Sequence, residues 1–274
     1  MNFVTITDNN QWRYSLINLY ALHQLKLKFN YYIFTTTEYA KECIINTLES
    51  HSILYNYGKI YVDVIPNFTQ IFNINVTETN HNWISIATLD RLVLPLYVNI
   101  EKFVWLDTDT LIVNSDIINL YNYATSDKGI AAVATETLLH QHILNFSSSP
   151  NLLSLAEKNT STFNAGVCVF DLQKFNISQY NQFVADIFDR SNGEYVNDEL
   201  ILNLYDQNYT VVSAKYNCAP YNKFIPYSQS IIHFSGADWK PWNKHKYEKG
   251  TYYKYYKQWE YYFALMYSQA SDQL

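Results

Sequence analysis

Short, wholly apolar runs alternate along the chain with longer stretches of helical spacing. A first strand is predicted at 3–6, closed by Thr7-Asp8-Asn9-Asn10, polar residues suited to starting a helix. Leu16, Leu19, Leu22 and Leu25 then lay one broad apolar stripe along a helix at 11–27. A second strand is expected at 31–34, followed by Thr35-Thr36-Thr37 and a helix through Ile45 and Leu48. A third strand is expected at 59–65, ending at Pro66. This alternation is the pattern of an α/β chain with a doubly wound sheet and a parallel core.

Residues 67–82 are mostly polar and read as an irregular, mobile loop. A helix follows at 84–97, with Pro95 expected to kink it. The run Phe103-Val104-Trp105-Leu106 is continuously apolar, as in a strand buried on both faces. A short helix at 115–121, a strand at 130–134 and helical pieces with a loop at 136–162 come next. Further strands are expected at 166–170, 209–212 and 231–234, and further helices at 172–190 and 197–205. The stretch 251–268 reads as an aromatic helix. With no internal repeat and no Gly/Ser linker, residues 1–274 read as one domain. Residues 248–274 form a C-terminal aromatic helix packed on it, and pairing a homodimer or resting on a membrane surface are the other uses open to that helix.

Composition narrows the classes. At 48% hydrophobic residues over 274 positions, the chain can bury a substantial core. A formal net charge of -6 leaves no basic excess for nucleic-acid phosphates, so nucleic acid is not expected as a partner. Cys43, Cys168 and Cys218 show no paired spacing, which excludes a disulfide framework and a zinc site and suits a reducing compartment. The start, Met1-Asn2-Phe3-Val4-Thr5-Ile6, lacks the features of a signal peptide, and no apolar run is long enough to span a bilayer. A cytoplasmic location is the expectation. The sequons at Asn67, Asn75 and Asn176 are chance matches in an Asn-rich chain, and the 26 Tyr are treated as background composition.

The chemistry starts where the 103–106 run ends, at Asp107-Thr108-Asp109. Ligands of open α/β sheets bind outside the carboxyl ends of the strands. Two carboxylates one residue apart can hold a divalent cation there, or can simply open a turn. Asp8 and Asn9 end the first strand, where helix capping also explains them. Arg91 lies on the helix before the two aspartates, where a solvated charge is the ordinary role. Phe163-Asn164-Ala165-Gly166-Val167 places a turn before an apolar strand. Asp198-Glu199 opens a helix, where the macrodipole favours acids. A pair of acids can also orient sugar hydroxyls, act as a nucleophile or stabilise positive charge. In the segment His233 to Asn243, His233 lies on an apolar strand, Gly236 allows close backbone approach and Lys240 suits phosphate.

Taken in order, these segments resemble glycosyltransferase family 8, the family of glycogenin and bacterial lipopolysaccharide galactosyltransferases. The resemblance runs from the N-terminus to about Asn243. It implies a GT-A fold, a Rossmann-like mixed sheet with flanking helices, and a UDP-sugar donor, glucose first. It implies Asp107, Asp109 and His233 as metal ligands, for Mn²⁺ ahead of Mg²⁺. Ile6, Asp8, Asn9 and Trp12 would line the uridine site, with Trp12 in the place of an aromatic that stacks on uracil. Thr108 would face the ribose, and Arg91 and Asn164 with Ala165 would contact donor and sugar. Asp198 and Glu199 would hold the sugar beside its anomeric carbon, and Gly236 and Lys240 would hold the diphosphate. The acceptor would be a glycan or protein hydroxyl. A non-catalytic UDP-sugar binder, a nucleotide-sugar hydrolase and a self-glucosylating primer are the alternatives.

Two departures stand out. The family's acid segment reads Asp-Gln, and here it is Asp198-Glu199. A Glu is a better nucleophile than a Gln amide, so the change reopens a covalent route to retention of anomeric configuration. The interval from Gly236 to Lys240 is one residue longer than in glycogenin.

Overall fold

The computed structural model describes residues 1–74, 86–147, 149–157, 159–191, 196–219, 228–242 and 252–267. Its strands are β1 (Asn2–Thr7), β2 (Phe29–Thr35), β3 (Gly58–Val64), β4 (Lys102–Leu106), β5 (Thr110–Ile112), β6 (Ile130–Leu138), β7 (Ser161–Asp171), β8 (Thr210–Val211) and β9 (Ile231–His233). Its helices are α1 (Ile17–Gln24), α2 (Glu38–Glu49), α3 (Phe68–Phe72), α4 (Leu94–Tyr97), α5 (Ile117–Asn122), α6 (Leu139–Phe146), α7 (Pro150–Leu153), α8 (Ile177–Arg190), α9 (Asp198–Tyr205) and α10 (Tyr253–Tyr267). The chain forms two compact units. Unit 1 is Met1–Ile65, Val104–Asn122 and Ser213–Leu274, and unit 2 is Pro66–Phe103 and Tyr123–Val212.

Unit 1 contains the predicted parallel core. β1 pairs parallel with β2 from Asn2↔Asn30 to Thr7↔Thr35, and β2 pairs parallel with β3. On its other side β1 pairs parallel with β4 at Phe3↔Val104. In β2, Phe29, Tyr31, Ile33 and Thr35 are buried and alternate with half-buried residues, the period of a strand with one covered face. α2 starts where Thr37 accepts a hydrogen bond from the Ala40 amide, and it turns Ala40, Ile44 and Leu48 inward. The helix expected at 11–27 divides into a 3₁₀ turn, Trp12–Leu16, and α1. Ser15 Oγ donates to the Trp12 carbonyl at 2.7 Å and tightens that first turn.

The short strand β5 was not expected. It pairs antiparallel with β9 and sets Thr110 opposite His233. α10 belongs to this unit and buries Tyr255, Tyr256, Trp259, Tyr262 and Met266. Tyr267 Oη donates to the Arg13 carbonyl at 2.8 Å, and Tyr14 stacks on Trp242 with centroids 4.0 Å apart. Much of the aromatic content in this region therefore serves packing.

Unit 2 corrects several expectations. The stretch at 67–82 opens as helix α3, because Asn67 and Gln70 form a capping box; residues 75–82 lie outside the described residues. The expected helix at 84–97 is a 3₁₀ segment, Ile86–Val93, running into α4. Pro95 lies in the first turn of α4, where a missing N–H is tolerated, so it starts a helix and does not kink one. β6 pairs parallel with β8 and antiparallel with β7, so pairing in this unit is mixed, as expected of a Rossmann-like mixed sheet. Asn164, Ala165 and Gly166 lie inside β7 and not in a turn before it. Ala132 pairs with Cys168 and Ala134 with Phe163, so the residues between Phe163 and Cys168 bulge from the ladder. A bulge of this kind re-aims side chains beside functional sites.

Candidate active site

In unit 1, β4 is apolar up to Leu106, and the chain then turns. Thr110 donates its amide (3.1 Å) and its hydroxyl (2.7 Å) to the Asp107 carbonyl, which closes a turn through the backbone oxygen and not through either aspartate carboxylate. Trp105 Nε1 donates to Asp107 Oδ1 at 2.7 Å and orients it. The β5–β9 ladder brings His233 alongside, with the Phe234 amide donating to the Asp109 carbonyl at 2.9 Å. His233 Nε2 lies 3.3 Å from Asp109 Oδ1 and 3.8 Å from Asp107 Oδ2. One donor atom from each of Asp107, Asp109 and His233 falls within a 4.8 Å span.

These residues fit a divalent cation. His233 Nδ1 lies 2.9 Å from Asn217 Oδ1, which orients the ring and turns Nε2 toward the carboxylates, where its lone pair would be offered to an ion. Three oxygen and nitrogen donors within 4.8 Å of one another are near enough to be drawn onto one divalent ion. Two carboxylates and an imidazole suit Mn²⁺.

Lys240 Nζ bonds Asp109 Oδ2. Burial alone would raise the Asp109 pKa, but the Lys240 ammonium and the His233 ring outweigh it and hold the carboxyl well below the usual range. Lys240 follows a 3₁₀ turn, Ala237–Trp239, that opens on Gly236 at φ 86°, a backbone angle open to glycine.

The expected uridine residues gather at the carboxyl end of β1. Ile6 and Asp8 are half-buried and Asn9 is exposed. Asp8 Oδ1 accepts from the Asn10 and Gln11 amides at 2.8 Å each, and Asn9 Oδ1 accepts from the Thr37 hydroxyl. Thr108 Oγ1 donates to Gln11 Oε1 at 3.0 Å, which ties this turn to the Asp107–Asp109 turn. Trp12 is buried and meets the Tyr267 ring edge-on at 6.1 Å.

Unit 2 holds a second cluster. Arg91 is 7% exposed and not a solvated charge. Its Nη1 lies 3.0 Å from Asp198 Oδ2 and donates to the Ala165 carbonyl at 2.6 Å. Asn197 caps α9 through the Leu200 amide at 2.8 Å, so Asp198 and Glu199 are not the capping residues. Glu199 Oε2 accepts from Asn164 Nδ2 (2.8 Å) and from the Ala165 amide (3.0 Å), two donors supplied by the β7 bulge. Glu199 Oε1 lies 3.7 Å from His142 Nε2. Burial holds the His142 pKa down to about 4.

The structure thus brings Asp107, Asp109, His233 and Lys240 together in unit 1. In unit 2 it brings Arg91, Asn164, Ala165, Asp198 and Glu199 together. Sequence reasoning missed Gln11, Trp105, Asn217 and His142. Trp105 was legible as a polar-tipped aromatic two residues before Asp107. His142 carried no signal, because it lies in a stretch without clear periodicity.

A family profile described as Glycosyl transferase family 8 matches residues 2–246. No curated protein sequence matches the chain. Among solved structures, the galactosyltransferase LgtC in complex with donor and acceptor sugar analogs is similar at TM-score 0.71 and 16% identity. That match covers 96% of this chain and 95% of LgtC. An active-site variant of LgtC is similar at TM-score 0.72 and 16% identity, covering 95% of each chain. The glycosyltransferase GlyE of Streptococcus pneumoniae TIGR4 is similar at TM-score 0.64 and 18% identity, covering 98% of this chain and 64% of GlyE. At these identities the similarity speaks to the fold, which is the GT-A fold.

Proposed function

Because the chain belongs to glycosyl transferase family 8 and is a glycosyltransferase, we propose that it moves a hexose from a UDP-sugar to a hydroxyl acceptor with retention of configuration. Glucose is the first candidate. The similarity to LgtC, a galactosyltransferase, puts galactose second. The observation that carries this reading is the Asp107–Asp109–His233 set with its imidazole oriented by Asn217.

A divalent ion held by these residues supplies charge neutralisation for a leaving diphosphate. Lys240 contributes a second positive charge and Gly236 a backbone open to close approach. Asp8, Asn9, Thr108 and Gln11 supply amide, hydroxyl and carboxylate groups for a nucleoside, with Ile6 and the buried Trp12 as its apolar backing. In unit 2 the two acids divide their work. The Asp198 side chain is 9% exposed and engaged by Arg91, so it is the positioning acid. The Glu199 side chain is 22% exposed, and Asn164 and Ala165 hold one of its oxygens. Its other oxygen, 3.7 Å from His142 Nε2, is suited by its charge to stabilise positive charge on a sugar or to attack its anomeric carbon.

The test is isothermal titration with a panel of UDP-sugars in Mn²⁺ and then in chelator. Metal-dependent binding of one UDP-sugar is expected, with transfer to a hydroxyl acceptor when one is supplied. Failure of every UDP-sugar to bind in Mn²⁺ would reject the donor assignment. Binding without turnover would favour the non-catalytic alternative, for which Glu199 in place of Gln is the motivating feature. A self-glucosylating primer would need an accessible tyrosine, and Tyr216, Tyr221 and Tyr227 lie upstream of His233; Tyr216 is 1% exposed, and burial pushes its pKa up to about 12, which weighs against it as an acceptor. Tyr221 and Tyr227 lie outside the described residues. Intact-mass analysis after incubation with donor, showing no added hexose, is the expected result.

A further inference from the structure

Asp109 is 3% exposed, and a carboxylate so buried needs a cation. Two cations have a claim on it. One is the divalent ion of the proposed site, and the inference rests on that reading of the cluster. The other is Lys240, whose ammonium already bonds Asp109 Oδ2, while Oδ1 of the same carboxylate faces His233 Nε2. Asp107, by contrast, is oriented by the neutral Trp105 indole.

The backbone that carries Lys240 has its own anchor. Trp242 stacks on Tyr14 with planes 8° apart and lies 6.4 Å from the Trp259 ring. The Lys240 side chain is therefore able to leave Asp109 while its backbone stays in place. Its side chain is 28% exposed, so water or an anion can reach the ammonium.

We infer that Lys240 is an exchangeable counter-ion: a divalent cation takes Asp109 from it, and the freed ammonium then engages the nucleotide diphosphate. Metal and nucleotide would thereby favour each other's binding through one lysine, in addition to direct contact between ion and phosphate. Such coupling is reciprocal, so it can be read from either ligand.

The test is Mn²⁺ binding to the full chain without nucleotide, followed by the free-ion paramagnetic resonance signal, in wild type and in Lys240→Met. The variant has no ammonium to displace, so its Mn²⁺ affinity should rise about tenfold, equivalent to about 1.4 kcal/mol. In saturating Mn²⁺, UDP affinity measured by calorimetry should fall about tenfold in the same variant. Lys240→Gln, which keeps a polar side chain, should shift both affinities the same way if Lys240→Met folds poorly. A lysine that only binds phosphate would leave Mn²⁺ affinity within about twofold of wild type, and that result overturns the exchange. A lysine that only braces the loop would weaken both ligands, and that result overturns it too. If wild type shows no saturable Mn²⁺ binding even with UDP present, the metal-site reading and the exchange fall together. If wild type binds Mn²⁺ and loses it in Asp109→Asn while Lys240→Met binds no tighter, only the exchange falls.

Discussion

Replacing Arg91 with Met tests how unit 2 holds its acids. Arg91 and Asp198 are 7% and 6% exposed, with a 3.0 Å contact between Nη1 and Oδ2. As a pair, buried opposite charges are close to balance, since desolvation offsets attraction. Removal of one partner is different: it leaves the other charge buried without its counter-ion and destabilises by roughly 3–5 kcal/mol. The Ala165 carbonyl also loses its 2.6 Å donor, which adds about 1 kcal/mol. Arg91→Met should therefore lose about 4–6 kcal/mol, a large share of the ~5–15 kcal/mol typical of a folded protein. Arg91→Lys keeps the charge without the planar fork and should lose about half as much. The double variant Arg91→Met/Asp198→Leu removes both charges and should recover at least ~2 kcal/mol of the single loss. Urea unfolding followed by circular dichroism and by fluorescence measures all three. Stability of Arg91→Met within ~1 kcal/mol of wild type would show that the pair is not held as described. A double variant no more stable than the single one would refute the charge argument specifically.

Asp109→Asn should abolish Mn²⁺-dependent UDP-sugar binding and both transfer and donor hydrolysis; wild-type turnover in Mn²⁺ would remove Asp109 from the metal set. Glu199→Gln should keep donor affinity within about threefold, because one amide oxygen can accept from Asn164 and Ala165, while kcat falls by about 100-fold or more; an unchanged kcat would show that the carboxylate charge is not used. His142 predicts a pH effect on stability. Its folded pKa of about 4 lies below its ordinary value near 6.5, so the unfolded chain binds the extra proton first. Stability should be level above about pH 6.5 and fall by up to about 3 kcal/mol as pH drops toward 4, and His142→Gln should flatten that window in urea titrations at stepped pH.

Much of this was legible because strands and carboxylates announce themselves. The run Phe103–Leu106 ending at Asp107 marked both a buried strand and the place where a ligand would meet it. What escaped was set by tertiary partners. β5 is three residues long, too short for any period to show, yet its register with β9 is what sets His233 beside the aspartates. Arg91 looked solvated because local spacing carries no information about Asp198 and Ala165, which lie far along the chain. Asn164-Ala165-Gly166 has the composition of a turn, and the bulge in β7 is where that composition ended up. Pro95 was read by its usual effect inside a helix, and the chain placed it in a first turn, where that effect vanishes.

Unit 1 is drawn from three separated stretches, the last beginning at Ser213, and that order has a consequence during synthesis. Asp109 leaves the ribosome 131 residues ahead of Lys240, roughly 7–26 s earlier at ordinary elongation rates. Through most of that interval the nascent chain carries both aspartates without Asn217 and His233, and through all of it without Lys240. Tyr14 likewise waits for Trp242 and Trp259 to cover it. Messages cut short within that window would release chains with an uncovered aromatic face and an unfinished ion site, a natural substrate for chaperones and proteases. The Asp107–Asp109–His233 cluster is thus assembled only once the stretch beginning at Ser213 has been made.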